Sequence, residues 1–294
     1  MRRVHPLLWL QTGLALVLLM SLAVTARADE KAQRIVSVGG AVTEIVYALG
    51  EEDRLVARDT TSNHPPAALD LPDVGYIRRL SPEGLMSVNP DLIIAEEGAG
   101  PPEAVEVLEQ AAIPLVEIPG GYTGAAVSAK INAVAAALGV PEKGTDLARK
   151  IDAQIKAAGA VAQTGEKTRV LFILSMAGGR IIVGGANTAA DGIITLAGGE
   201  NVMGDVEGWK QTTDEAILTA NPDVIVMMDR EVADEGANMG ALNDELFSHT
   251  AIAATTAGQN RAVVRLDGMM MLGFSVRTAE GITKLSEALA AAGD

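Results

Sequence analysis

The feature that most constrains the fold is a phrase that occurs twice. Residues 81–94 read SPEGLMSVNPDLII and residues 213–226 read TDEAILTANPDVIV. Aligned on Asn-Pro-Asp, Asn89 falls opposite Asn221 and Glu83 opposite Glu215, both at a shift of 132 positions. Each copy reads as a short helix carrying a Glu, a proline stop, and an apolar β-branched strand. Proline stops the helix because it lacks an N–H and disfavours helix for the residue before it. A repeated helix–turn–strand calls for two similar lobes. Matched carboxylates on those lobes point to a binder that offers both lobes to one partner.

A chain of 294 residues is long enough for two domains. It is 48% hydrophobic but only 3% aromatic, a balance that suits small helices packed on buried strands. The net charge of −15 argues against nucleic acid, whose phosphates need a basic surface, and against docking on anionic lipid.

The N-terminus has the layout of an export signal. Arg2 and Arg3 precede an apolar run from Gly13 to Val24, and Ala26-Arg27-Ala28 is an A-x-A cleavage site. Residues 1–28 are expected to be removed after Ala28, leaving a mature chain from Asp29. The sequence has no Cys, which leaves no lipid-anchor cysteine, no disulfide and no thiolate metal site.

Strand and helix patterns alternate from Arg34 through Leu55–Arg58, Asp91–Ala95, Pro102–Ala112 and Leu115–Ile118, the signature of parallel βαβ units. The longest helical pattern follows, with Leu147, Ile151, Ile155 and Ala158 at three- and four-residue spacing and Pro141 suited to a first turn. A second series begins at Arg169 and closes on a helix from Arg277 to Ala292. The expected architecture is α/β: two lobes with central, mostly parallel sheets joined by one long α-helix. The N-terminal lobe spans 29–140, the linker helix 141–165 and the C-terminal lobe 166–294. A helical linker is stiff and predicts lobes that hinge little.

Enzyme chemistry finds few footholds. After cleavage only His64 and His249 remain, neither in a nucleophile or metal-protease motif. There is no G-x-S-x-G elbow, no phosphate-cradling G-x-x-x-x-G-K-[ST] and no H-E-x-x-H. An exported metal-dependent enzyme would need one of these histidines beside a carboxylate in a cleft.

The stretch from Asp73 to Ser81, DVGYIRRLS, offers different chemistry. Tyr76 directly follows a Gly in the loop leading to the first repeated helix. Arg78, two residues on, points to the same side if the loop is extended. A guanidinium beside a phenol favours the phenolate, a hard ligand for ferric iron and an axial ligand known for haem. The same residues also suit a half-buried Tyr that anchors a loop between solvated arginines.

The mature chain resembles the periplasmic haem-binding proteins of bacterial ABC haem importers, which belong to a wider group of helix-linked binders for vitamin B12 and siderophores. The resemblance runs from Arg34 to the last helix. It is most specific at Val74-Gly75-Tyr76-x-Arg78-x-Leu80-Ser81, and extends to Gly184–Asn201 and Met271-Leu272-Gly273-Phe274-x-x-Arg277-Thr278. It implies a protein of the periplasm, a monomer and no enzyme. It would carry b-type haem as transported cargo and deliver it to an ABC permease and its ATPase at the inner membrane. It implies Tyr76 as the iron ligand, Arg78 as the group that keeps it anionic, and Glu83 and Glu215 as the carboxylates that dock on the permease. A corrinoid or a ferric siderophore is the alternative cargo.

Some relatives carry a His after the linker helix. Here that stretch reads Leu174-Ser175-Met176-Ala177-Gly178-Gly179, which speaks against a two-haem arrangement and leaves Met176 as a weak distal ligand or a packing residue. Met270, within Met269-Met270-Met271, is expected to face the porphyrin from an apolar, adaptable wall, with at least one of the three methionines facing the core. Arg180, Arg230, Arg265 and Arg277 are the candidate basic partners from the second lobe.

Overall fold

The computed structural model describes residues 31–162, 167–229 and 239–293. The expected export signal, the linker residues 163–165 and Arg230 lie outside the described residues. Both sheets belong to one compact unit, Gln33–Asp294.

The first sheet contains β1 (Ile35–Val38), β2 (Leu55–Arg58), β3 (Leu92–Glu96) and β4 (Leu115–Ile118) in the order β2-β1-β3-β4, all parallel. Parallel strands covered by helices on both faces must be apolar throughout, and β1 is buried along its whole length. The helices of this lobe are α1 (Gly40–Ala48), α2 (Pro82–Ser87), α3 (Pro102–Gln110) and α4 (Gly124–Ala137). Val36, Val38, Ile77, Leu85, Ile93 and Leu108 form its core.

The long helix α5 (Pro141–Ala162) follows. Its buried stripe is Gly144, Ala148, Ile151 and Ile155, so that Ile151 and Ile155 of the sequence pattern are buried while Leu147 and Ala158 are half-buried. It packs closely on α4, where a Cβ on Gly144 would lie 2.3 Å from the Ala135 Cβ.

The second sheet holds β5 (Arg169–Ala177), β6 (Arg180–Gly184), β7 (Glu200–Asn201), β8 (Trp209–Thr212), β9 (Val224–Met228) and β10 (Val263–Leu266). Its order is β10-β9-β5-β6-β8, with β7 paired to β5. The strands β5, β7, β9 and β10 are parallel, whereas β6 runs antiparallel to both β5 and β8. Gly178 and Gly179 turn the β5–β6 hairpin at φ of 59° and 73°, a region that suits glycine. The helices here are α6 (Ala189–Leu196), α7 (Asp214–Ala220), α8 (Met239–Ser248), α9 (Thr250–Ala253), α10 (Thr256–Gln259), α11 (Gly268–Leu272) and α12 (Thr278–Gly293). The last of these packs against α5. Leu171, Ile173, Ile217, Ile225 and Ile252 form a separate core.

The repeated phrase folds the same way twice. Ser81 Oγ accepts from the Gly84 N–H and Thr213 Oγ1 from the Ala216 N–H, each at 3.2 Å, which caps α2 and α7. Leu85 and Ile217, at the same 132-residue shift, are each fully buried. Asn89 and Asn221 both adopt left-handed backbone, at φ of 47° and 37°, before β3 and β9 begin.

Candidate functional site

In open parallel sheets, ligands bind beyond the carboxyl ends of the strands. In the first lobe those ends lead to Gly39, to the loop from Asp59, to Glu97–Gly100, and to Pro119–Thr123. Tyr76 sits on the second of these loops. Tyr76 is 49% exposed while Val74 and Ile77 on either side are buried. The backbone around it is pinned within its own loop and to the loop that follows β3. Thr60 N–H donates to the Gly75 carbonyl at 2.9 Å, Gly100 N–H to Ile77 at 2.9 Å, and Leu80 N–H to Gly100 at 2.7 Å. The loop therefore holds a half-exposed tyrosine beyond the strand ends.

Arg78 takes a different direction from that expected. Residues Ile77–Arg79 form a 3-10 turn rather than an extended loop, so the alternation argument does not apply there. Arg78 Nη1 donates to the Glu97 carbonyl at 2.9 Å, over Gly98, where an added Cβ would lie 2.3 Å from that nitrogen.

The second lobe contributes the hairpin end and the segments after β9 and β10. Met176 is partly buried near the end of β5 and lines a cavity of about 400 Å³ with Gly178, Ile181, Asp214, Glu245 and His249. Met270 corrects the expectation of a cargo-facing side chain. It is 3% exposed, and its Cγ lies 3.6 Å from where a Gly281 Cβ would be, because the helical turn of α11 directs it beneath α12. Met269 instead reaches outward, with its Cε 2.5 Å from the position of a Gly40 Cβ in the first lobe.

The candidate arginines separate clearly. Arg180 is exposed at the hairpin tip. Arg265 lines a small cavity with Met176 and Met227, and its Nε donates to Asn243 Oδ1 at 3.0 Å. Arg277 is committed to a buried junction between the lobes. Its Nε and Nη2 donate to Glu44 Oε1 at 3.0 and 2.6 Å, and Nη1 lies 3.4 Å from Asp267. Burial opposes the charge on Arg277, but the Glu44 hydrogen bonds and the nearby carboxylates outweigh it and hold its pKa above the usual arginine value. Ser275 donates to the other Glu44 oxygen. A second charge is buried nearby. Lys130 on α4, 1% exposed, pairs with Glu96 and donates to the Gly273 carbonyl at 3.1 Å.

Sequence reasoning overlooked these pairs, and it overlooked Tyr122. That residue is 40% exposed, and its ring meets Phe274 edge-on at 5.4 Å between centroids. The available signal was Gly121-Tyr122, a second Gly-Tyr pair.

Glu83 and Glu215 occupy equivalent first-turn positions on α2 and α7, and both are exposed. The Glu83 carboxyl is held below the usual glutamate value by a hydrogen bond from its own backbone N–H and by the Ser81 hydroxyl. His249 does lie beside a carboxylate, its Nε2 3.6 Å from Asp214 Oδ1. Ser248, beside it, donates to the Glu245 carbonyl at 2.7 Å. Among the described residues no group of three His, Cys, Asp or Glu is arranged to hold a metal ion, and no helix is long and apolar enough to cross a membrane.

The chain is similar to the periplasmic haem-binding protein RhuT from Roseiflexus sp. RS-1, at 36% identity and a TM-score of 0.83, covering 90% of this chain and all of RhuT. It is equally similar in sequence to the periplasmic haem-binding protein BhuT, solved with two haems, at 36% identity, a TM-score of 0.81 and coverage of 89% and 99%. Among curated proteins it matches the vitamin B12-binding protein of Vibrio campbellii at 38% identity over 88 residues, 30% of this chain and 32% of that protein. The chain thus spans about a third of the length of the curated relatives it matches. Residues 35–269 match the family described as periplasmic binding protein, and the chain belongs to that family.

Proposed function

We propose that this protein binds b-type haem between its lobes in the periplasm and delivers it to an ABC permease and its ATPase at the inner membrane. One observation carries the reading: Tyr76, half-exposed on a loop pinned on both sides, in a chain 36% identical along most of its length to two haem-binding proteins. The phenol, ionised, supplies a hard anionic ligand to ferric iron. Arg78, tethered at Nη1, keeps four further N–H donors for the phenolate or a haem propionate. Met176 at the end of β5 and the exposed face of Tyr122 add apolar surface for the porphyrin. Glu83 and Glu215 present one charge per lobe to a two-fold permease. The protein acts as a monomer and catalyses no reaction.

An absorption titration with hemin tests this, run beside Tyr76→Phe. A saturable tyrosinate-type ferric spectrum at one equivalent, weakened at least tenfold in affinity in the variant, is expected. An unchanged spectrum in Tyr76→Phe refutes the ligand assignment. The match to the vitamin B12-binding protein favours a second reading, with a corrinoid as cargo. Saturable binding of cyanocobalamin without a response to hemin replaces the first reading with the second.

A further inference from the structure

We infer that Asp73 and Arg58 are positioning residues for Tyr76, an inference that rests on the tyrosinate reading above. Tyr76 follows a glycine at φ 103°, backbone that a side-chain-bearing residue rarely adopts. A Cβ at Gly75 would meet nothing closer than 3.9 Å, so conformation rather than space requires glycine there. A glycine is also the most freely rotating residue, so something must hold it.

Asp73 does so from two residues upstream. Its Oδ1 accepts from the Gly75 N–H at 2.8 Å, an Asx turn that sets the direction in which the chain enters Tyr76. The same oxygen accepts from Thr60 Oγ1 at 3.2 Å. Its Oδ2 takes Arg58 Nη1 at 2.8 Å. Arg58 is largely buried, and its Nη1 also donates to the Asp59 carbonyl at 3.1 Å. Residue 58 ends β2, so the guanidinium is a fixed post on the sheet. Two backbone bonds run beside it, from Arg58 N–H to Pro72 and from Val74 N–H to Arg58, each at 3.0 Å.

The path from rigid sheet to cargo ligand is therefore short: β2, Arg58, the Asp73 carboxylate, the Gly75 amide, Tyr76. A metal ligand held this way keeps its geometry without contact from the bracket itself, as outer-shell partners do at metal sites generally.

The test compares Asp73→Ala, Asp73→Asn and Tyr76→Phe with the unaltered protein in two measurements. Hydrogen exchange without cargo reads the bracket directly. Amides of residues 75–79 should exchange at least tenfold faster in Asp73→Ala, over and above the uniform change that a lower global stability gives the rest of the chain. Unchanged exchange overturns the inference whatever the cargo. Hemin binding reads the consequence. Asp73→Ala should weaken the tyrosinate charge-transfer band and release haem to apomyoglobin at least tenfold faster, with Asp73→Asn intermediate because its amide oxygen still accepts from Gly75. A native band and release rate in Asp73→Ala overturn the inference while the haem reading stands. A native spectrum in Tyr76→Phe overturns both.

Discussion

The Glu44–Arg277 pair joins residues 233 positions apart, one on α1 of the first lobe and one beyond β10 of the second. Arg277→Met keeps the apolar stem and removes the guanidinium. Glu44, with a side chain only 2% exposed, then loses both arginine hydrogen bonds and keeps Ser275 alone. Removing one partner of a buried ion pair costs about 3–5 kcal/mol, because the other charge stays buried without compensation. For a domain of this size, each kcal/mol lowers the melting temperature by roughly 2–4 °C, which gives a drop of about 6–20 °C. Replacing both residues, Glu44→Gln with Arg277→Met, removes the stranded charge and should recover most of the loss. Calorimetry on the four proteins of the cycle, at neutral pH, gives the coupling energy. A melting temperature for Arg277→Met within about 2 °C of the unaltered protein refutes the argument. So does a double variant no more stable than the single one.

Three further outcomes are expected. A Cβ on Gly192 would lie 2.6 Å from the Tyr122 carbonyl oxygen and 2.9 Å from the Phe274 ring, so Gly192→Val should cost about 1–3 kcal/mol in urea unfolding; an unchanged midpoint counts against close contact there. Glu51 is opposed by burial, yet hydrogen bonds from Lys143 and Arg54 more than offset this and lower its pKa. A depressed carboxylate stabilises above its unfolded value near 4.5 and loses that contribution as pH falls through the folded value; Glu51→Gln should flatten this acid limb by about 1 kcal/mol, and an identical pH profile contradicts the assignment. Glu83→Gln with Glu215→Gln should leave cargo binding intact and slow transfer to the reconstituted permease at least tenfold, with weaker salt dependence; normal transfer removes the docking role.

What could be read from sequence was local. The repeated phrase carried its own instructions: a hydroxyl to cap, a proline to stop, an asparagine able to take left-handed backbone, and a β-branched run to enter a sheet. That Tyr76 lies on a loop was legible from the glycine before it. Helix α4 was not, although it is 14 residues long. Its sequence is so uniformly small and apolar that no face stands out, and the one charge that would mark a polar side, Lys130, is buried.

The sequence by itself determined two α/β lobes, the long helix between them, the matched carboxylates and the loop that bears Tyr76. These follow from spacings of a few residues, where backbone geometry alone relates one side chain to the next. Only the tertiary structure decided that Arg78 turns to the Glu97 carbonyl, that Met270 faces inward, and that Arg277 is spent on Glu44. It also decided that Lys130 is held by Glu96 and the Gly273 carbonyl. A charge is buried only where distant segments bring its partner, and nothing in the spacing along a chain records which segments will meet.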